Sequence, residues 1–376
     1  MSNITNKNKH LYKQALVAMS GGVDSSVSAL LLQEAGYDIC GTTMKLFDNE
    51  VACNSSNCTY AESTCCSQRD VEDAKQVALQ LGFEHFTFNY TGTFTKQVID
   101  KFCNAYVNGI TPNPCIDCNR YLKFKALQKR RAQLGFDYVA TGHYARRRFN
   151  EQTRRYELLR GLDETKDQSY VLFHLTQNDL EHMLFPLGEL KKTQVRALAN
   201  KHGFGNANKA ESQDICFVPD SNYAQFIKNY FGKKAQAAFE PGPICNTEGK
   251  ELGQHTGLIH YTIGQRKGIG VAAKQPLYVV EKRVETNTLV VGFQSSLYVN
   301  EVHANDINFI AVDGINTPIE VDVKMHYRQK MQRGIACMHD GELVVTFSEP
   351  VPRPAPGQAL VLYNGNVVVG GGTITG

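Results

Sequence analysis

At 376 residues the chain exceeds what one hydrophobic core usually serves, so two or three domains are expected. Its 42% apolar and 20% charged residues are those of an ordinary soluble protein, and no run of about 18 apolar residues exists to span a membrane. A formal charge of +3, from 40 basic against 37 acidic side chains, decides nothing about a polyanionic partner on its own. The opening MSNITNKNKHLYKQ is polar and lacks the apolar stretch of a signal peptide, which sets the expectation of a cytoplasmic protein. Eleven cysteines are many for a reducing compartment, where structural disulfides are rare, so some are expected to be ligands or reagents. Cys40, Cys245 and Cys337 sit among apolar neighbours and read as small core residues.

The first half alternates strand and helix signals. QALVAM (14–19) is a short buried-strand run, DSSVSALLLQEAG (24–36) a helix stopped by Gly36, and YDICGTTMKLF (37–47) the next strand. VEDAKQVALQLG (71–82) places Val71, Ala74, Val77, Ala78 and Leu81 on one helical stripe, ended by Gly82. The strand HFTFNY, the helices FTKQVIDKFCNAYVNG and YLKFKALQKRRAQLG, and the strand FDYVATGHY continue the pattern. Such alternation predicts a parallel sheet with helices on both faces. From about residue 220 the character changes to short strands separated by Gly, Asn and Pro: LIHYTIG, PLYVVEK, TLVVGF, IEVDVKMHY, ELVVTF, QALVLY and NVVVGGG. The expected plan is an α/β domain over 1–224, a small α+β segment over 225–292 and a C-terminal β-barrel over 293–376. Basic runs at 129–131, 146–148, 154–155 and 191–192 read first as solvated faces.

Directly after the first strand stands SGGVDSS, residues 20–26. Small residues at this turn let backbone N–H groups form an anion nest, and the helix that starts there adds its positive dipole end. Ser20, Ser25 and Ser26 carry hydroxyls that can donate to phosphate oxygens, and Asp24 is a candidate to hold Mg²⁺ on them. The string is not a Walker loop, and no lysine is placed in sequence to grip a γ-phosphate. It resembles the PP-loop of the ATP pyrophosphatases, which implies an adenine nucleotide alpha hydrolase-like sheet and cleavage of ATP at the α-phosphate. A substrate oxygen is then activated as an AMP ester.

TPNPCIDCN (111–119) holds Cys115 and Cys118 at a spacing shared by zinc sites, redox pairs and catalytic thiols, so by itself it leaves all three open. About a hundred residues on, AESQDICFVPD (210–220) carries Cys216 before an apolar pair. With TGHYAR (141–146), KDQSYVLF (166–173), GLIHYTIGQRKGIG (257–270) and PGQALVLYNGNVVVGGGTI (356–374), these strings resemble the tRNA-specific 2-thiouridylases nearly end to end.

The resemblance implies Cys118 as the nucleophile and Cys216 as the carrier of incoming sulfur as a persulfide, the pair ending as a disulfide that an external reductant must open. It implies ATP, with Mg²⁺, on Ala18, Met19, Ser20, Gly21, Gly22, Val23, Asp24 and Ser25, with Met44 against adenine and Gly142 as a further nucleotide contact. The tRNA anticodon stem-loop is implied to meet Asn113, Pro114 and Cys115, the triplet Lys166, Asp167 and Gln168, and Tyr327 with Arg328 in the barrel. A sulfur-relay protein that donates persulfide is the other implied partner. A tRNA partner also turns Lys129–Arg131, Arg146–Arg148 and Arg266 with Lys267 into candidate phosphate contacts.

Many relatives carry Asp where this chain has Cys115, so the acid–base role of that position does not transfer. An alternative is an iron–sulfur cluster on Cys115, Cys118 and Cys216 with one iron left open for sulfide, as in related thiolases. Cys53, Cys58, Cys65 and Cys66 read as a second thiol cluster or a zinc clip. Rival functions are another ATP-dependent ligase with the same loop, which would leave Cys118 and Cys216 idle, and an RNA-binding, metal-containing module, against which the intact SGGVDSS argues.

Overall fold

The computed structural model describes residues 12–47, 68–210, 214–218 and 221–375; Cys53, Cys58, Cys65 and Cys66 therefore lie outside the described residues. β1 (Gln14–Ala18) runs into α1 (Val23–Glu34), followed by β2 (Asp38–Lys45), a helix Gln68–Leu81, β3 (His85–Asn89) and β4 (Tyr138–Ala140). β1 is central, and Ala15, Leu16 and Val17 are fully buried, as a strand covered on both faces requires.

After β4 the chain makes a hairpin, β5 (Ala145–Asn150) and β6 (Arg155–Arg160), before returning to the first sheet as β7 (Met183–Leu184). That sheet has the order β3-β2-β1-β4-β7, with every pairing parallel. Strand order reverses between β1 and β4, so the crevice at their carboxyl ends is the expected ligand position of such a sheet.

Between β3 and β4 lie two long helical runs. One joins Thr91–Phe94, a π-helical turn Thr95–Ile99 and Asp100–Val107. The other joins Pro114–Asp117, a π-helical stretch Cys118–Ala126 and Leu127–Leu134, and Gly135 ends it at φ 80°. The second begins seven residues before the expected YLKFKALQKRRAQLG. Its start is set by Pro114 in the first turn and by the Asn113 side chain, which accepts from Cys115 N at 3.2 Å.

The middle of the chain adds a helix Tyr223–Phe231 and a four-stranded sheet of β8 (Gly242–Asn246), β9 (Glu251–His255), β10 (Tyr278–Arg283) and β11 (Thr288–Gly292), in the order β10-β11-β8-β9. LIHYTIG, expected as a strand, is instead a 3₁₀ turn at Leu258–His260 followed by irregular chain. Gly257 at φ 123° turns the backbone against Phe239, and Leu258, Ile259 and Tyr261 are buried by packing rather than by strand pairing.

β12 (Tyr298–Phe309), β13 (Ile319–Lys324), β14 (Gln332–His339), β15 (Glu342–Pro352), β16 (Ala359–Asn364) and β17 (Val367–Ile374) form an antiparallel barrel closed by β12 on β17. The hairpin β5–β6 extends this barrel sheet, not the parallel one, through Leu159 opposite Val367. One hydrophobic core runs from Leu16 and Met44 through Phe94, Phe102 and Leu122 to Tyr170, Val361 and Tyr363, so the α/β region and the barrel share it.

Candidate active site

The loop between β1 and α1 is shaped by contacts that sequence alone does not display. Gly21 has φ 72°, and a Cβ there would lie 2.2 Å from the Asp70 carbonyl oxygen, so only glycine fits. The buried Ser25 and Ser26 hydroxyls both donate to Gly22 O, at 2.9 and 3.2 Å, and Ser25 Oγ accepts from Ser20 N at 3.2 Å. They organise the loop, whereas Ser20 is exposed. From below, Asn206 Nδ2 donates to Gly21 O at 3.0 Å and to Ser26 Oγ at 2.9 Å, and Lys209 Nζ reaches Asp70 Oδ1 at 2.7 Å.

Asp24 is held as tightly. Lys192 Nζ donates to its two carboxylate oxygens at 2.7 and 2.8 Å, and Tyr144 OH donates to Oδ1 at 2.8 Å. In this arrangement Asp24 is an ion-pair partner rather than an open ligand for Mg²⁺. Sequence reasoning treated Lys191–Lys192 as a solvated pair and found no lysine for the loop, yet Lys192 is buried beside it. Gly142, in the loop after β4, packs on the same turn: a Cβ there would meet Asp24 C and Ser25 N at 3.0 Å. Met44 lies buried at the carboxyl end of β2, next to this crevice. The fold thus brings Ala18–Ser25 and Gly142 together at the point where strand order reverses, with Met44 at the end of the neighbouring strand β2.

Cys118 opens the π-helical stretch, and Cys115 is exposed one turn earlier. Cys216 lies in a turn whose neighbour, Phe217, is driven into the core. The Phe217 ring packs 5.6 Å from Phe94, 5.2 Å from Phe102 and 5.4 Å from Phe226. Cys118 and Cys216 are both half-buried, and both pack on the one core cluster that also receives Tyr327. Tyr327 meets Tyr170 with ring centroids 6.3 Å apart, while Arg328 is exposed beside it. By contrast, burial pushes the Cys40 thiol up to about 11 and the Cys103 thiol up to about 12, which leaves both as inert core residues. Cys245 and Cys337 are only half-buried.

Among the described residues no three His, Cys, Asp or Glu side chains converge closely enough to hold a metal ion.

The residues matched to tRNA contacts divide. Lys166 is half-buried in a surface turn, but Asp167 is buried and accepts from Gly161 N, Ser169 N and Ser169 Oγ, each at 3.1 Å. Gln168 Oε1 accepts from Tyr144 N at 2.9 Å. Asp167 and Gln168 thus hold the turn in shape. Of the basic runs, Arg147 donates to Leu180 O and Glu181 O at 2.6 and 2.9 Å, Arg146 to Arg160 O at 2.7 Å, and Arg131 to Phe136 O at 2.9 Å. These guanidinium groups serve the fold. Arg266 and Lys267 are exposed, and Arg266 lines a cavity of about 420 Å³ together with Gly268 to Val271 and Lys274. His143 is fully enclosed and burial holds its pKa well below the usual imidazole range, so it sits as a neutral ring between Phe124 and Phe185.

Three family models match the chain in succession: a tRNA methyl transferase HUP domain over 13–220, a tRNA methyl transferase PRC-barrel domain over 224–293 and an aminomethyltransferase beta-barrel domain over 299–374. The tRNA-specific 2-thiouridylase MnmA 1 of Thermoanaerobacter sp. (strain X514) is 44% identical over 96% of this chain and 97% of its own length. The chain belongs to the tRNA-specific 2-thiouridylase family. The family member from Carboxydothermus hydrogenoformans is 46% identical over 96% of this chain and 97% of its own. Among solved structures, NMN synthetase from Francisella tularensis aligns over 59% of this chain and 77% of its own, at 16% identity and a TM-score of 0.34. No helix among the described residues of this 2-thiouridylase family member is long and apolar enough to cross a membrane.

Proposed function

We propose that the protein replaces the C2 oxygen of the wobble uridine of tRNA by sulfur, at the expense of ATP cleaved to AMP and pyrophosphate. Membership of the 2-thiouridylase family makes it a tRNA-uridine 2-sulfurtransferase. The observation that supports the finer reading is that Cys118 and Cys216, distant in sequence, both pack on the core cluster that Ala18, at the end of β1, also joins.

The uridine oxygen is a poor leaving group until it carries AMP. The loop over Ala18–Ser25 holds the phosphates by backbone N–H groups and the α1 dipole, and Ser20 adds a hydroxyl. The terminal sulfur of a Cys216 persulfide attacks the activated C2, and AMP departs with the former oxygen. The Cys118 thiolate then attacks the inner sulfur of Cys216, which breaks the S–S bond to the base and leaves a thiocarbonyl. The product is a Cys118–Cys216 disulfide, and an external dithiol returns both thiols with two electrons. A persulfide-donating protein recharges Cys216. The target lies in an anticodon loop, where extruding a base costs only a few kcal/mol.

We assign residues 1–224 to nucleotide binding and catalysis, 225–292 to a connecting module and 293–376 to a barrel that meets the anticodon stem-loop through Tyr327 and Arg328. Lys166, Arg266 and Lys267 supply exposed or half-exposed charge for tRNA phosphates. We assign Asn113, Pro114 and Cys115 to contact with the extruded base, and the protein would work in the cytoplasm, where tRNA is.

The family models speak of methyl transfer and the curated relatives of thiolation, so the decisive assay reads the modified base itself. Unmodified tRNA is incubated with Mg·ATP and a persulfide donor, and its nucleosides are analysed for 2-thiouridine. Thiolation and pyrophosphate release are expected together. Cys118→Ala and Cys216→Ala each abolish thiolation while pyrophosphate release persists. Full activity in Cys216→Ala would end the relay, and activity that tracks iron content after anaerobic purification would replace it by cluster chemistry.

A further inference from the structure

The helix that carries Cys118 is tied to the C-terminal barrel within two residues of the thiol. Asn119 Nδ2 donates to Val171 O at 3.1 Å. Arg120 then forks onto both carboxylate oxygens of Asp306, with Nη2 to Oδ1 at 3.0 Å and Nη1 to Oδ2. Asp306 sits in an irregularity of β12, where the register against β17 shifts between Asn305 and Asn308, and its φ is 46°. Two residues on, Asn308 Nδ2 donates to Phe173 O at 2.7 Å and Leu175 O at 3.0 Å. Helix, 169–175 segment and barrel strand are therefore joined in a closed ring of side-chain bonds, and the irregularity in β12 brings Asp306 and Asn308 to the helix and the 169–175 segment.

Two features argue against a mere surface ion pair, which is usually worth about 0–1 kcal/mol. The pair is bidentate, and His174 is wedged beside it, buried, 3.9 Å from Asp306 Oδ2. On the opposite side Lys101 lies 3.7 Å from Asp117 and 4.0 Å from the Tyr121 ring centroid, which closes the cluster around the start of the helix. Leu122, Phe124 and Leu127 already bury the helix in the core, so the fold does not need Arg120 for depth. Apolar contacts, however, fix depth better than rotation about the helix axis. Cys118 stands where the backbone leaves α for π geometry, a feature often found at functional sites. A planar fork two residues from the thiol fixes that angle.

We propose that Arg120 and Asp306 are a positioning pair, through which the C-terminal barrel sets the rotation of the Cys118 helix and aims its sulfur at the activated base. The proposal rests on the reading of Cys118 as the nucleophile. It makes the barrel part of the catalytic apparatus as well as a surface for tRNA.

The test compares Asp306→Asn, Arg120→Gln, Arg120→Lys and the double variant Arg120→Gln/Asp306→Asn; Asn tolerates the left-handed backbone at position 306. In single-turnover thiolation, kcat is expected to fall about 100-fold in Asp306→Asn and Arg120→Gln, with KM for tRNA and ATP within about twofold of the parent. Arg120→Lys recovers part of the rate, and the double variant loses no more than either single one, because the pair acts as a unit. Amide hydrogen exchange across 114–126, which needs neither ATP nor tRNA, is expected to quicken in Asp306→Asn and Arg120→Gln. A rise in KM for tRNA with kcat unchanged would make the pair a docking contact and overturn the proposal. So would unaltered exchange across 114–126, whether or not the parent thiolates tRNA. A parent that shows the exchange pattern but makes no 2-thiouridine would sink the functional reading and leave the clamp standing.

Discussion

The ammonium of Lys192 bridges the two carboxylate oxygens of Asp24 at 2.7 and 2.8 Å, inside the loop that faces the nucleotide crevice. One charge comes from the first turn of α1 and the other from a helix 168 residues later in the chain, so the loop is completed only when the sheet has closed. Lys192→Met would leave a partly buried carboxylate with Tyr144 as its remaining named donor. Stability is expected to drop by about 2 kcal/mol in urea unfolding, and tRNA-dependent pyrophosphate release to fall at least tenfold. Lys192→Arg keeps the charge and restores part of both. Normal pyrophosphate release from a folded Lys192→Met would show that the pair is structural only.

Gly21→Ala tests the same loop from its backbone. A methyl group would press on the Asp70 carbonyl at 2.2 Å in a conformation that L residues rarely adopt. The variant is expected to lose more than about 1 kcal/mol and to bind ATP poorly in equilibrium dialysis.

Asp167 and Lys166 are neighbours with opposite expected roles. Asp167→Ala removes the acceptor for two backbone N–H groups and the Ser169 hydroxyl, so it should lower Tm and leave the affinity for tRNA largely intact in whatever fraction is folded. Lys166→Ala should leave Tm unchanged and weaken tRNA binding, with a shallower salt dependence in filter binding. Equal loss of tRNA affinity in both would contradict this division.

His174 gives the junction between helix and barrel a pH dependence. Burial, followed by the nearby Arg120 guanidinium, pushes its pKa down to about 4, although Asp306 pulls the other way. A group that is depressed on folding contributes in full above its unfolded value near 6.5 and withdraws that contribution as pH falls towards 4. Unfolding monitored between pH 7 and pH 4 should therefore show a loss of stability that His174→Gln flattens.

The alternation of strand and helix up to residue 144 was legible because each element carries its own period and its own stop signal, as with Gly36 and Gly82. The phosphate loop was legible because its glycines and serines are consecutive. The hairpin Ala145–Arg160 was not, because Arg146–Arg148 breaks the alternation that a half-buried strand shows. The Arg147 guanidinium lies over the Tyr138 and Tyr156 rings and donates to the Leu180 carbonyl, partners that only the fold supplies. Lys192 and Asn206 were missed for a related reason: nothing local distinguishes a lysine that will meet Asp24 from one that will meet water. LIHYTIG failed in the other direction, since its apolar residues are buried by a turn held at Gly257 rather than by a ladder.

The pairing of β6 with β17 stitches residue 159 to residue 367. During synthesis the hairpin emerges some two hundred residues before the strand that covers its edge, so it must wait as an open edge until β17 has been made. Truncations that spare every crevice and cysteine residue but remove β17 would therefore expose a sticky rim along β6. An isolated front half of this chain is best made with that hairpin removed or its rim charged.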